Sequence, residues 1–345
     1  MENQADSMSR ELSATLEKNG FVTIKKIIDP LLAERAHREI EAWYARDLAD
    51  RSARGTETHN HIGPAGLTVL TAPSHLMIDA YLKSPALDQI FETILTHPMS
   101  AKVIENLAGK NIKLRGYNIR RMTGAYDPAP AHEFHRDSYG EFGFSILLTD
   151  VGPGTDAATS FVRGSHLYPY CPRWNCLFPM IYRGLGIFLR LNIFNHILRR
   201  SIADRETSGY GERGDFTIFI NDVWHGREPN SNGKQSMVVL IGAFPTEVPF
   251  PDKVVPPSPE ILAQLPPHLR SAASCQLPPN TSKDTILYRM HRDRLPIGTM
   301  SLWRFAQVER KLADALSGFK APMIRMALQI RYYLRRLFSR LGFTS

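Results

Sequence analysis

The sequence predicts a mainly β protein, a barrel of strands with helices before it, inserted into it and after it. Two observations carry this reading. Three runs read as strands: Ile112 to Met122, and the apolar, β-prone Phe142 to Thr149 (FGFSILLT) and Phe216 to Ile220 (FTIFI). Each of the last two adjoins a turn signal, Asp150 to Asp156 (DVGPGTD) after the one and Gly214-Asp215 before the other.

The remaining elements follow in order. Ser7 to Lys18 has helical periodicity and stops at Gly20, and Phe21 to Ile28 (FVTIKKII) reads as a strand. Asp29-Pro30 caps a second helix running to about Leu48, after which residues 49 to 66 are polar and read as loop. Helical patterns return around residues 73 to 107. Ala158 to His166 reads as another strand ending in a turn. Residues 171 to 206 are apolar and arginine-bearing, and they read as a helical insertion that acts as a lid or an interfacial patch. No run there reaches the roughly 18 apolar residues a membrane span needs. After Pro249 the chain becomes proline-rich, which predicts an exit from the barrel into an extended segment. The main domain is therefore expected over residues 1–250, with 251–345 as a proline-rich linker and a helical extension.

Composition narrows the classes. With 345 residues and 43% hydrophobic content, the chain can bury a sizeable core. Cys171, Cys176 and Cys275 are an odd set without a CxxC pair, against a disulfide scaffold or a structural zinc site. The polar N-terminus carries no secretory signal, so a reducing cytoplasm is expected. The net charge of +8 is unevenly spread. From Lys320 onward come Arg325, Arg331, Arg335, Arg336 and Arg340 with no acid, interleaved with apolar residues at helical spacing. Such a helix can attach peripherally to the inner, anionic face of a membrane, or pack on its own domain with a solvated basic face. No nucleic-acid motif accompanies the charge, so that partner is not expected.

The polar motifs point to metal chemistry. His135-Arg136-Asp137 precedes one strand run, and His225, in Asp222-Val-Trp-His-Gly, follows another. Residues i and i+2 share a face of a strand, so His135 and Asp137 can both point inward. Two imidazoles and one carboxylate hold one face of Fe(II) and leave open positions for a cosubstrate and O2. A decoy, His291-Arg292-Asp293, lacks this strand frame. His132 lies near enough to support a ligand. Gly209 to Gly214 matches GxGxxG but is followed by a strand, where dinucleotide binding needs a helix. Gly164-Ser165-His166 lacks a nucleophile elbow and reads as a turn.

The ordered series Gly20-Phe-Val-Thr-Ile, HRDS, SFVRGSH and GDFTIFINDVWHGREPN resembles the phytanoyl-CoA dioxygenase family of Fe(II)- and 2-oxoglutarate-dependent oxygenases, over roughly residues 12 to 248. The resemblance implies a double-stranded β-helix, or jelly roll. It implies His135, Asp137 and His225 as iron ligands, 2-oxoglutarate and O2 as cosubstrates, and ascorbate as a support of activity. It also implies an arginine about eleven residues beyond the distal histidine to pair with the far carboxylate of 2-oxoglutarate. Here that position is Ser236, which cannot form a charged, bidentate clamp. Lys234, with the strand parity of Ser236, then Arg121 with its neighbour Arg120, and then Arg227 are the cations able to replace it. The implied reaction is hydroxylation of an unactivated C-H bond. The apolar insertion and basic tail suggest an anionic, membrane-presented or lipid-linked substrate, such as a Kdo sugar of lipopolysaccharide. A soluble acyl-CoA or small metabolite is the alternative, and a non-catalytic jelly-roll binder is the rival of another class.

Overall fold

A computed structural model describes residues 2–54, 60–62, 68–72, 75–80, 84–124, 140–152, 156–167, 206–228, 230–248, 259–274, 277–280 and 282–292. Eleven strands are named among them: β1 (Phe21–Ile24), β2 (Asn60–Ile62), β3 (Thr68–Ala72), β4 (His75–Ala80), β5 (Ile112–Met122), β6 (Phe142–Leu147), β7 (Thr159–Val162), β8 (Glu206–Gly209), β9 (Phe216–Ile220), β10 (His225–Arg227) and β11 (Ser236–Pro245). The helices are α1 (Glu2–Asn19), α2 (Pro30–Arg54), α3 (Pro85–Thr96), α4 (Pro98–Ala108), α5 (Pro259–Gln264), α6 (Pro267–Ser274) and α7 (Ile286–Arg292).

The strands form two sheets. The large one has the order β1-β9-β6-β11-β5-β4-β3-β2 and the small one β10-β7-β8, antiparallel throughout. The chain passes from β5 and β6 in the large sheet to β7 and β8 in the small one. It then returns to β9, crosses to β10 and comes back to β11. This alternation is the winding of a jelly roll, and the fold is the predicted double-stranded β-helix with flanking helices.

Strand parity decides what each face meets. Phe142, Phe144, Ile146, Phe216, Ile218, Met237, Val239 and Ile241 share one cluster with residues of α1 to α4, so this face of the large sheet packs under the helices. The opposite face meets the small sheet. There Phe161 of β7 lies 4.7 Å from Phe21 and 5.3 Å from Phe219, ring centre to ring centre. Leu147 and Val238 extend that layer with Val151 and Ala158. Because both faces of β6 and β9 are covered, every residue of each is buried. That is why these strands read as near-continuous apolar runs without alternation.

The helices are held at their ends. The Ser84 hydroxyl accepts the Leu87 N-H at 3.1 Å and donates to Glu39 of α2 at 2.8 Å, with Pro85 opening α3. Gly20 ends α1 at φ +87, its N-H donating to the Leu16 carbonyl at 2.7 Å.

Several sequence expectations are corrected. β1 ends at Ile24, because Lys26 turns the chain in the left-handed region at φ 62. The second helix continues to Arg54. Part of the stretch read as loop is β2, and residues 75–80, read as helical, form β4 on the edge of β5. Short apolar runs do not distinguish the two periods, and partner strands distant in sequence settle the matter. The described stretch from residue 259 to 292 packs back on the fold instead of extending away: Leu265, Leu269, Ala272, Ala273, Ile286 and Leu287 of the α5 to α7 segment join the main core. Glu206, taken as the end of the helical insertion, opens β8, while residues 171–205 and the basic tail from Lys320 lie outside the described residues, as do all three cysteines. The decoy's His291 and Arg292 close α7.

Candidate functional site

His225 opens β10 on a turn built by backbone and side-chain contacts. The Val223 N-H donates to Ile220 O at 2.8 Å, and Val162 N-H donates to Trp224 O at 2.8 Å. The Trp224 N-H donates to the buried Ser165 hydroxyl at 2.7 Å. His166, fully buried, donates Nε2-H to the Glu17 carbonyl at 2.8 Å and so ties the same turn to the end of α1. Gly20 is required beside it, since a Cβ there would stand 2.5 Å from His166 Nδ1 and 2.9 Å from Val223. The RGSH segment, expected only to be a turn, thus braces the strand that carries His225. Its signal in the sequence was the recurrence of polar residues just after a buried strand.

The His225 side chain faces the space between the sheets. It is 5% exposed and pairs in register with Phe161, with the Phe219 ring 5.3 Å and the Phe161 ring 6.3 Å away. Its Nδ1 lies 2.9 Å from the Val223 carbonyl. A carbonyl only accepts, so Nδ1 carries a proton, and in the neutral ring the lone pair is then on Nε2. This is the tautomer and the outer support that metal-ligating histidines use.

His135 and Asp137 lie outside the described residues, as does His132. Among the described residues, no group of three or more His, Cys, Asp and Glu side chains can hold a metal. The ends of the segment that contains His135 and Asp137 are placed, however. Asn230, three residues beyond β10, donates its Nδ2-H to the Gly124 carbonyl at 2.9 Å. Asn221, four residues before His225, donates its backbone N-H to the Glu141 carbonyl at 3.1 Å. Gly124 and Glu141 are therefore both held to the chain that flanks β10. Neither asparagine was singled out from the sequence.

The candidate cations separate clearly. Arg121 pairs in register with Met237 and so turns to the helix-covered face. There its Nε donates to Glu41 at 2.7 Å and its guanidinium lies 4.7 Å from the Tyr44 ring centre. Burial works against the charge of Glu41, but hydrogen bonds and the charges of His37 and Arg121 outweigh it and hold the carboxyl at about 2. Arg120 has the opposite parity and pairs with Val238. Lys234 is exposed on a turn: its N-H donates to Asn232 Oδ1 at 2.9 Å, Gly233 has φ +68, and β11 begins only at Ser236. The strand parity expected for Lys234 therefore does not exist. Arg227 is 3% exposed and shares the inward face of β10 with His225, two residues away. It crosses between the sheets, with Nη1 2.9 Å from Met122 Sδ. Met122 pairs in register with Ser236, itself 3% exposed.

No protein-family model matches the chain, and no curated protein matches it. Among solved structures, it is similar to AviO1 from Streptomyces viridochromogenes Tue57 at 17% identity, covering 73% of this chain and 98% of that one with a TM-score of 0.44. HygX from Streptomyces hygroscopicus, crystallised with nickel and 2-oxoglutarate, is similar at 14% identity over 69% and 88% of the two chains, with a TM-score of 0.43. The non-haem α-ketoglutarate-dependent epimerase SnoN from nogalamycin biosynthesis is similar at 16% identity over 69% and 81%, with a TM-score of 0.40.

Proposed function

We propose that this protein is an Fe(II)- and 2-oxoglutarate-dependent oxygenase whose metal is held by His135, Asp137 and His225. The observation that supports the reading is that Gly124 and Glu141, on either side of the run with His135 and Asp137, are both held to the chain flanking β10, through Asn230 and Asn221. The donor set fits ferrous iron, with two neutral imidazoles and one carboxylate leaving positions open. When bound, iron with 2-oxoglutarate and O2 supplies the oxidising power for hydroxylation of an unactivated C-H bond, with decarboxylation to succinate.

The chain's own part is to orient and to exclude. The Val223 carbonyl fixes the His225 tautomer, Ser165 and His166 hold the turn beneath it, and Phe161 and Phe219 keep water from one side of the ring. The test is anaerobic Fe(II) binding together with succinate formation in wild type, His135→Ala and His225→Ala. Wild-type protein that binds no ferrous iron and forms no succinate sinks the reading. It would favour a jelly-roll binding protein, a reading that rests on Ser236 occupying the place of the usual arginine.

The substrate belongs to the same proposal. The acid-free run of basic and apolar residues from Lys320 supports an anionic, lipid-linked or membrane-presented molecule, with a Kdo-type sugar as an example. Attachment would be peripheral, on the inner membrane face, with ascorbate sustaining turnover. Among the described residues, no helix is long and apolar enough to cross a membrane. Sedimentation with anionic liposomes, full length against a chain ended at Gly318, tests it: equal sedimentation of the two rejects the tail's role and favours a soluble acyl-CoA or metabolite.

A further inference from the structure

We infer that Arg227 holds the far carboxylate of the cosubstrate, moving the anchor of that group from β11 to β10. The inference rests on the oxygenase reading above and adds to it the residue that sets the cosubstrate's chemical class, a 2-oxo diacid over a 2-oxo monoacid.

Three placements carry it. First, Arg227 and His225 lie two residues apart on one face of a short buried strand, both turned between the sheets. Two residues of strand span about 7 Å, a distance suited to a five-carbon diacid bound at one end beside His225. Second, the Arg227 guanidinium crosses to the large sheet and reaches Met122 Sδ at 2.9 Å. Met122 faces Ser236 across the β5-β11 ladder, so the charge from β10 arrives beside the place on β11 where the resemblance calls for a cation and the chain has a serine. A small residue at 236 leaves room for it, since a second guanidinium at that point would repel the first.

Third, two of the other cations are placed elsewhere, while Arg120, opposite Val238 on the inner face of β5, is the remaining rival. Arg121 is ion-paired to Glu41 under α2, and Lys234 is exposed on a turn. A guanidinium buried at 3% exposure in a layer that contains Phe161, Phe219 and Met122 forms strong, bidentate contacts with a carboxylate, because water competes little there.

The experiment compares 2-oxoglutarate with 2-oxovalerate, which chelates a metal alike but lacks the far carboxylate. Binding of each to the full-length, Fe(II)-loaded protein is titrated without O2 through the visible metal-to-ligand charge-transfer band. Wild type should prefer 2-oxoglutarate by roughly a hundredfold, the scale of a buried charged pair. In Arg227→Met the preference should fall to within about threefold while 2-oxovalerate affinity is unchanged, which also reports an intact fold. Lys234→Ala should keep the full preference. Preference retained in Arg227→Met, or lost in Lys234→Ala, overturns the inference alone. Wild type that loads Fe(II) but shows no preference overturns it too, whereas wild type that binds neither iron nor 2-oxoacid overturns the oxygenase reading with it. If Arg227→Met does not fold, Arg227→Lys decides: a loss of about tenfold or more in 2-oxoglutarate affinity with 2-oxovalerate unchanged supports the anchor, and an unchanged ratio rejects it.

Discussion

The two faces of the β5-β11 ladder carry arginines of opposite fate. On the helix side, Arg121 is closed into a pair with Glu41 and lies over Tyr44. On the inner side, Met122 and Ser236 meet Arg227, which arrives from the other sheet on the strand of His225. One residue of register separates an arginine that fastens α2 to the barrel from positions that face the candidate chemistry. Arginine content therefore says little, and the face each arginine occupies says a great deal.

If the inner face is for chemistry and the helix face for stability, substitutions should sort accordingly. The largest effect belongs to His225→Ala. Iron affinity and succinate formation should fall far more than the roughly 10–100-fold cost of losing an outer-shell partner, with little change in melting temperature. A fall in stability without loss of iron would break the comparison. Next, Phe144→Ala on the helix face, whose ring lies 5.3 Å from Phe91 and 5.6 Å from Phe142, should cost about 3–5 kcal/mol in urea unfolding.

Smaller effects should fall between the two faces. Gly20→Ala imposes φ +87 on a side chain and a clash with His166 and Val223, so about 2 kcal/mol or more of stability should be lost. Ser165→Ala leaves the Trp224 N-H without its hydroxyl acceptor and should cost roughly 1–3 kcal/mol. Ferrous affinity should also weaken, by about tenfold, because the turn that aims His225 loosens. An unchanged affinity would make the brace purely structural.

The smallest effect is a pH dependence on the helix face. Glu41 has its folded carboxyl lowered to about 2 from 4.5. Its contribution to stability is thus fully present above pH 4.5 and is lost as the pH falls from there toward 2. Glu41→Gln should flatten unfolding free energy against pH in that window and leave iron binding near neutrality unchanged.

β6 and β9 were legible in the sequence because both faces of them are buried. Ile112 to Met122 and Phe216 to Ile220 are β5 and β9 with the same bounds, and the FGFSILLT run is β6 with two residues fewer. β4 and the α5 to α7 segment were not legible. Their short runs of mixed polarity acquire meaning only from β5 and from the helix-side core they join. At the site, the spacing of His225 from its strand was readable, whereas Asn221 and Asn230 look like ordinary turn residues until their carbonyl partners are known.

By itself, the sequence determined the alternation of faces along the runs it marked as strands, and with it that Arg120 and Arg121 lie apart. That follows from the two-residue period of a strand and needs no partner. Only the tertiary structure decided which face was the inside. It did so by packing helices over Arg121, by starting β11 only after Lys234 and by crossing Arg227 from one sheet to the other. The physical reason is that parity is local, whereas burial depends on whatever distant element covers the face.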